Sequence, residues 1–177
     1  MEFSEVLKQR QSCRNYSGEP VSKEDLEKII SGAILAPSAC NSQPWAFSVV
    51  YSPDKVQEIA SACKKFGFNK FVDKAGAFIV IEQREPKLFE RVSAVLGSRY
   101  FADNDIGIVT GFITLCAKDL GLGTCIMGMF DKKAVKTALS LPEKTELKLV
   151  IAVGKPAEDD VLREKSRKQM EEIAKFF

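Results

Sequence analysis

The run Ile106–Ala117, "IGIVTGFITLCA", constrains the fold of this chain more than any other stretch. It carries apolar or small residues on nearly every face, so it has to be buried almost all round. Its Ile, Val and Thr content would suit a strand, but twelve such positions closed by Lys118, Asp119 and Gly121 favour a helix. Asp103 to Asp105 supply an acidic N-terminal signal, and a helix from Asp105 to Leu120 would be about 24 Å long. A domain of 177 residues rarely surrounds one helix entirely. The excess apolar face points to a subunit interface, with a central core helix as the alternative.

The other elements fall on either side of this run. Phe3, Val6 and Leu7 recur at helical spacing. Ser22 caps a second helix, with Asp25 three residues on and Leu26, Ile29, Ile30, Ala33 and Ile34 as its apolar stripe. Ala46 to Tyr51 reads as a strand, and Ser52-Pro53 opens a helix carrying Val56, Ile59, Ala60 and Cys63. "FGFNKF" interrupts the pattern before a buried strand at Ala75 to Ile81, and a charged span from Glu82 to Arg99 reads as a loop plus a short helix. Thr124 to Met127 is a short strand, Asp131 caps a helix through Leu139, and Leu147 to Val153 is a strand stopped by Gly154 and Pro156. With no repeat, low-complexity tract or linker, residues 1–177 read as a single domain.

Composition removes several classes of function. The net charge is only +2 and no long Lys/Arg block appears, which argues against nucleic-acid binding. The absence of histidine removes Ser-His-Asp and Cys-His catalysis and HExxH zinc sites. Cys13, Cys40, Cys63, Cys116 and Cys125 are widely spaced without a CxxC pair, so a reduced, intracellular chain without structural zinc is expected. "MEFSEVLKQR" lacks the basic-then-apolar order of a signal peptide, and the longest apolar run is shorter than the roughly 20 residues that span a bilayer. A cytoplasmic protein with no membrane partner is the expectation.

Two polar segments could carry chemistry. "APSACNSQPW", Ala36 to Trp45, joins a helix to a strand; Pro37 and Pro44 stiffen it, and Ser38, Asn41, Ser42 and Gln43 offer groups that could face a ligand or satisfy one another as a capped turn. In "RQSCRNY", Arg10, Ser12 and Arg14 alternate and would share one side if extended, giving two guanidinium forks around a hydroxyl. Such a triplet is a plausible phosphate cradle, though two arginines near a turn are also ordinary surface. Gly128 in "MGMF" permits close approach of backbone to a planar ligand.

Taken together, "RQSCRNY", "PSACNSQPW", "LGLGTCIMGMF" and "KSR" at Lys165 to Arg167 resemble, in order and approximate spacing, the FMN-dependent nitroreductase family across essentially the whole chain. The resemblance implies an α+β, nitroreductase-like fold, a central mixed β-sheet flanked by helices, in an interlocked homodimer with two flavins at the subunit interface. It implies that Arg10, Gln11, Ser12, Arg14, Lys165 and Arg167 hold the FMN phosphate and ribityl chain, and that Pro37, Ser38, Ala39 and Asn41 reach the flavin of the other subunit. Met127, Gly128 and Met129 would line the isoalloxazine, and Asn69 would meet its pyrimidine edge. The implied activity is ping-pong hydride transfer from NADH or NADPH, through FMN, to a nitroaromatic, quinone or similar small-molecule electron acceptor, with no catalytic side chain and no metal. A non-enzymatic flavin-storage dimer is the alternative. Cys40 reads as a small loop residue, since no resolving cysteine accompanies it. The segment "KQMEEIAKFF" has helical spacing, whereas a comparable tail in relatives crosses to the partner as a strand, and both readings stand.

Overall fold

The structure, a computed structural model, describes residues 1–85 and 101–177, together with Val92 and Val95. Helix α1 spans Phe3–Gln9 and α2 spans Lys23–Ala33, the latter opened by Ser22, whose Oγ accepts from the Asp25 amide at 3.0 Å. The Ser22 hydroxyl also donates to the Asp25 carboxylate at 2.8 Å, closing the cap side chain to side chain. Strand β1 (Trp45–Val50) leads into α3 (Pro53–Lys64), where Pro53 takes the first helical turn. Strand β2 (Ala77–Gln83), helix α4 (Ala102–Asp119) and strand β3 (Gly123–Met127) follow. Helix α5 (Lys132–Ala138) is capped by Asp131, which accepts from the Lys133 and Ala134 amides at 3.0 and 3.1 Å. Strand β4 (Glu146–Gly154) and the one-turn helix α6 (Met170–Ile173) complete the described elements. The expected loop and short helix between Glu82 and Arg99 lie mostly outside the described residues.

Among the described residues the strands form one sheet in the order β1-β2-β4-β3, and all three ladders are antiparallel. A mixed sheet was the expectation; the parallel component is a single bridge, Ser12 to Thr124, outside the named strands. The reason lies in the connection after β1. Val50 at the end of β1 faces Phe78 at the start of β2, so the chain re-enters the sheet at the end it left. Helix α3 carries it away, and Phe66 to Gly76, including a 3₁₀ turn at Lys70–Lys74, brings it back.

Helices cover both faces of the sheet, which is why Ala77 to Ile81 of β2 read as an unbroken apolar run, and every residue of the strand, Glu82 and Gln83 included, is buried. Phe78 and Val80 pack with Val56, Ile59, Val72 and Val135 on the α3/α5 side. Ala77, Ile79 and Ile81 pack with Leu26, Ile29, Ile106, Val109 and Ile113 on the α2/α4 side. Each such Ile or Val contributes roughly 1.5–3 kcal/mol by leaving water. Helices α2 and α4 approach closely at Gly32, where an added Cβ would lie 2.4 Å from the Cys116 sulfur.

Helix α4 starts three residues earlier than the sequence suggests and buries Ile106, Val109, Ile113 and Ala117. Its other side shows Ile108 exposed and Phe112 and Leu115 half-buried. Those two side chains line an apolar groove of about 400 Å³ with Phe3, Val6, Gly32 and Leu35, and Leu35 is 76% exposed. The tail is neither a continuous helix nor a strand. Only Met170–Ile173 is helical, and Ile173, Phe176 and Phe177 are exposed.

Candidate functional site

Three of the polar segments acquire definite geometry. The first is a cationic cradle where Arg10–Arg14 meets Arg163–Arg167. Cys13 donates its amide to the Thr124 carbonyl at 2.9 Å, and β3 fits beneath because an added Cβ at Gly123 would sit 2.6 Å from the Cys13 Cβ. The Ser12–Thr124 bridge therefore fixes this segment against the sheet. Across it, Lys165 donates to the Arg10 carbonyl at 2.6 Å and Arg163 to the Ser12 carbonyl at 2.5 Å. The cleft between them, about 180 Å³, is lined by Arg10, Gln11, Ser12, Arg14, Arg163, Glu164, Lys165 and Arg167.

The charges of this cleft are poorly balanced. Among the described residues, Arg163 pairs with Asp160 at 3.5 Å, while Arg10, Arg14, Lys165 and Arg167 form no ion pair. Burial, and after it the positive charges of Arg10, Arg167, Arg163 and Lys118, hold the Lys165 ammonium below the ordinary lysine range. A dianionic phosphate would relieve that repulsion with charge-assisted hydrogen bonds, so the residues present fit the phosphate of a flavin mononucleotide. Of the six residues the sequence assigned here, five offer a cationic or hydroxyl group to the cleft. Gln11 does not spend its amide on it. Its Nε2 donates to Asp160 Oδ2 (3.3 Å) and the Val161 carbonyl (3.1 Å), and its Oε1 accepts from the Arg163 amide (3.0 Å). Arg163 escaped sequence reasoning because it lies two positions before "KSR", and its spacing to Lys165 was the available signal.

From the cradle a line of contacts runs to the end of β3. The Arg14 guanidinium lies over the Phe71 ring, 6.0 Å from its centroid. Two residues earlier, Asn69 donates its Nδ2 to the Cys63 carbonyl (3.1 Å) and the Met129 carbonyl (2.8 Å), tying the end of α3 to "MGMF". Both amide protons of Asn69 are thereby used within the protein, which leaves its oxygen for a ligand's donor. Met127 is buried, Gly128 and Met129 are exposed, and an added Cβ at Gly128 would meet only Leu149 Cδ2, at 4.0 Å. Thr124, bridged to Ser12, and Met127 are three strand residues apart, roughly 10 Å.

The third segment is the loop Pro37–Gln43. Cys40, Asn41 and Gln43 all adopt left-handed backbone, with φ of 52°, 49° and 45°. Such residues are held only when their surroundings over-determine them. Here Ser38 Oγ accepts from the Gln43 amide (2.9 Å), Asn41 Oδ1 accepts from Gln43 Nε2 (3.1 Å), and Asp105 Oδ1 accepts from the Ala39 amide (3.1 Å). Asp105 is buried, and among the described residues its Oδ2 has no hydrogen-bond partner; the same is true of Ser42 Oγ, within the loop, and Gln83 Oε1, on the β2 residue paired with Trp45. Sequence reasoning took Asp105 for a helix-start acid and missed its role as the loop's anchor. Pro37, Asn41 and Cys40 are exposed, and Ser38 and Ala39 half-exposed. Within one chain these residues are tied to α4 and to each other through the bonds above.

Among the described residues no group of three or more Cys, Asp or Glu is placed to hold a metal, and no helix is long and apolar enough to cross a membrane. Burial pushes the Cys13 thiol up to about 11 and the Cys63 thiol up to about 12, whereas Cys40 is open to solvent.

Comparison with known proteins agrees with this architecture. The sequence matches the nitroreductase family over residues 7–69 and 63–155. An NADH dehydrogenase/NAD(P)H nitroreductase of Archaeoglobus fulgidus is 33% identical over 165 residues, covering 89% of this chain and 87% of its own. Iodotyrosine deiodinase 1 of Rattus norvegicus is 26% identical over 201 residues, covering 97% of this chain and 68% of its own. A nitroreductase family protein of Clostridium difficile superposes with a TM-score of 0.80 at 28% identity, over 99% of this chain and 98% of its own. A nitroreductase from Exiguobacterium sibiricum in complex with FMN gives 0.83 at 24% identity, over 100% of this chain and 98% of its own, and shares the fold. The chain belongs to the nitroreductase family, and with it to the NAD(P)H-dependent flavin oxidoreductases.

Proposed function

We propose that the protein is a homodimeric, cytoplasmic FMN oxidoreductase that uses NADH or NADPH to reduce nitroaromatics, quinones or related small acceptors. The observation that carries this reading is the under-neutralised cradle, continued through Arg14, Phe71 and Asn69 to Met129. When bound, FMN supplies hydride transfer at N5, taken from a reduced nicotinamide and passed on to the acceptor in alternating visits to one site.

The residues of this chain bind, orient and shield. Arg10, Ser12, Arg14, Lys165 and Arg167 would hold the phosphate and ribityl chain, and Met127 lies roughly 10 Å along β3 from Thr124, which is bridged to Ser12. Met127, Gly128 and Met129 line the ring, with Gly128 allowing its backbone N–H a close approach. The Asn69 oxygen would accept from an N–H on the pyrimidine edge. Pro37, Ser38, Ala39 and Asn41 act on the partner's flavin, presented by a backbone already bent into the left-handed region. The apolar groove beside Phe112 and Leu115 is covered by the second subunit. No side chain has to act as nucleophile or acid, in keeping with a chain that has no histidine.

Titration of the flavin-free protein with FMN, followed by anaerobic NADH or NADPH, tests the reading. A stoichiometric yellow complex that bleaches on adding the nicotinamide and regains colour with a quinone is expected. A complex that forms but does not bleach would make the protein a flavin carrier, and no complex at micromolar FMN would refute flavin binding.

A further inference from the structure

The cradle joins two cationic segments that repel one another: Arg10 and Arg14 on one side, Arg163, Lys165 and Arg167 on the other. Something other than their own charge has to hold them together before an anion arrives. At the seam lies Asp160, whose carboxylate is only 5% exposed and pairs with Arg163. Its Oδ2 accepts from Gln11 Nε2 at 3.3 Å and its Oδ1 from Arg163 Nη1 at 3.5 Å. Gln11 closes the ring by donating to the Val161 carbonyl and accepting from the Arg163 amide. These bonds connect residues 149 to 152 positions apart, and every polar atom of the Gln11 amide is engaged in them.

We propose that Gln11 and Asp160 are positioning residues, a latch that seats Arg163–Arg167 across Arg10–Arg14 and so sets the affinity for the flavin phosphate. The proposal rests on the FMN reading above but makes a prediction of opposite sign to simple electrostatics. A carboxylate beside a phosphate site repels the ligand, so neutralising Asp160 should tighten FMN binding if charge were all it contributed. If Asp160 is the latch, Asp160→Asn loosens the tail, because the charge that draws Arg163 is gone and an amide donor can face the donor of Gln11.

The test uses the full-length chain as parent, Asp160→Asn, Gln11→Ala and the double variant Gln11→Glu/Asp160→Asn. In the double variant the side-chain amide introduced at position 160 can donate to the new carboxylate at position 11, which still accepts from the Arg163 amide and restores the net charge. FMN and riboflavin affinities are measured by fluorescence titration at one ionic strength, and amide hydrogen exchange is followed over residues 161–167 without flavin. Each single variant should lose about tenfold in FMN affinity, keep its riboflavin affinity and exchange faster in the tail, and the double variant should recover most of the loss. Unchanged or tighter FMN binding by Asp160→Asn overturns the proposal. So does an equal loss for both flavins, which would place the effect in the fold at large. Should Asp160→Asn not fold, Gln11→Ala alone decides between these outcomes. A parent that does not distinguish FMN from riboflavin would instead refute the phosphate reading, and the exchange rates would then decide on the latch: unchanged rates in both single variants overturn it.

Discussion

Replacing Asp105 with alanine should free the polar loop while barely changing global stability. Its Oδ1 accepts from the Ala39 amide at 3.1 Å, and its Oδ2 is buried without a hydrogen bond among the described residues. Truncation loses a bond to a charged acceptor, about 1.5–3 kcal/mol, and a carboxylate in the first turn of α4, about 0.3–1 kcal/mol. It also removes a buried unpaired oxygen whose desolvation opposes folding by about 1–3 kcal/mol. The midpoints leave a net loss of about 1 kcal/mol, a fall in Tm of about 2–4 °C for a chain of this size. The local consequence is larger, because Cys40, Asn41 and Gln43 each store of order 1–3 kcal/mol in left-handed backbone that Asp105 helps to hold. Amide exchange at residues 39–43 should therefore accelerate in Asp105→Ala but stay close to the parent in Asp105→Asn, which keeps an acceptor for the Ala39 N–H. A fall in Tm of more than about 10 °C, with exchange in the loop unchanged, would show that Asp105 supports the helix and not the loop.

In a heterodimer of one Arg14→Ala chain and one Asn41→Ala chain, loop action across the interface should leave one normal FMN site and one doubly weakened site. The Arg14 change alone is worth about one to two powers of ten in affinity, and two singly weakened sites on titration would refute sharing. An iodoacetamide time course at pH 8 should modify Cys40 first and leave Cys13 and Cys63, with thiols pushed up to about 11 and about 12, intact in the folded protein. Mass-mapped labelling of either buried cysteine at the Cys40 rate would contradict their burial. The Lys65 ammonium, then the Ala134 amide, hold the Asp131 carboxyl below its ordinary range, so its contribution is present above the unfolded carboxylate pKa of about 3.9 and is lost as pH falls through the lower folded value. The Tm difference between parent and Asp131→Asn should accordingly shrink below about pH 4, and a difference constant down to pH 2 would show that the charge is not involved.

Much of the scaffold was legible because local chemistry and tertiary burial agree. Ser22 and Asp131 cap the helices they announced, and the apolar run Ala77 to Ile81 of β2 reported cover on both faces. The ladder directions were not, since a strand followed by a helix reads the same whether or not a return segment such as Phe66–Gly76 reverses the chain. At the site, residue types announced the cradle, but not how each amide is spent. Gln11 and Asn69 look like ligand contacts in sequence, yet the whole Gln11 amide joins segments 149 to 152 positions apart, and the Asn69 amide protons go to the Cys63 and Met129 carbonyls, leaving only its oxygen. Left-handed backbone at Cys40 and Gln43 leaves no mark in residue type, since neither is the glycine that usually signals it. Asp105 could not be paired with Ala39 by inspection, because the two lie 66 positions apart in sequence.

The bond from Lys165 to the Arg10 carbonyl joins positions 155 apart. During synthesis at about 5–20 residues per second, Arg10 is made about 8–31 s before Lys165. By the end of that interval the four strands and the helices on both faces have been made, while the cationic cleft still has only one of its two walls. On the proposed reading of the cleft as the phosphate site, flavin mononucleotide would therefore not template early folding through its phosphate. On that reading it would act only late, as a clasp between the two ends of a closed circuit, and its release would first be felt where that circuit meets.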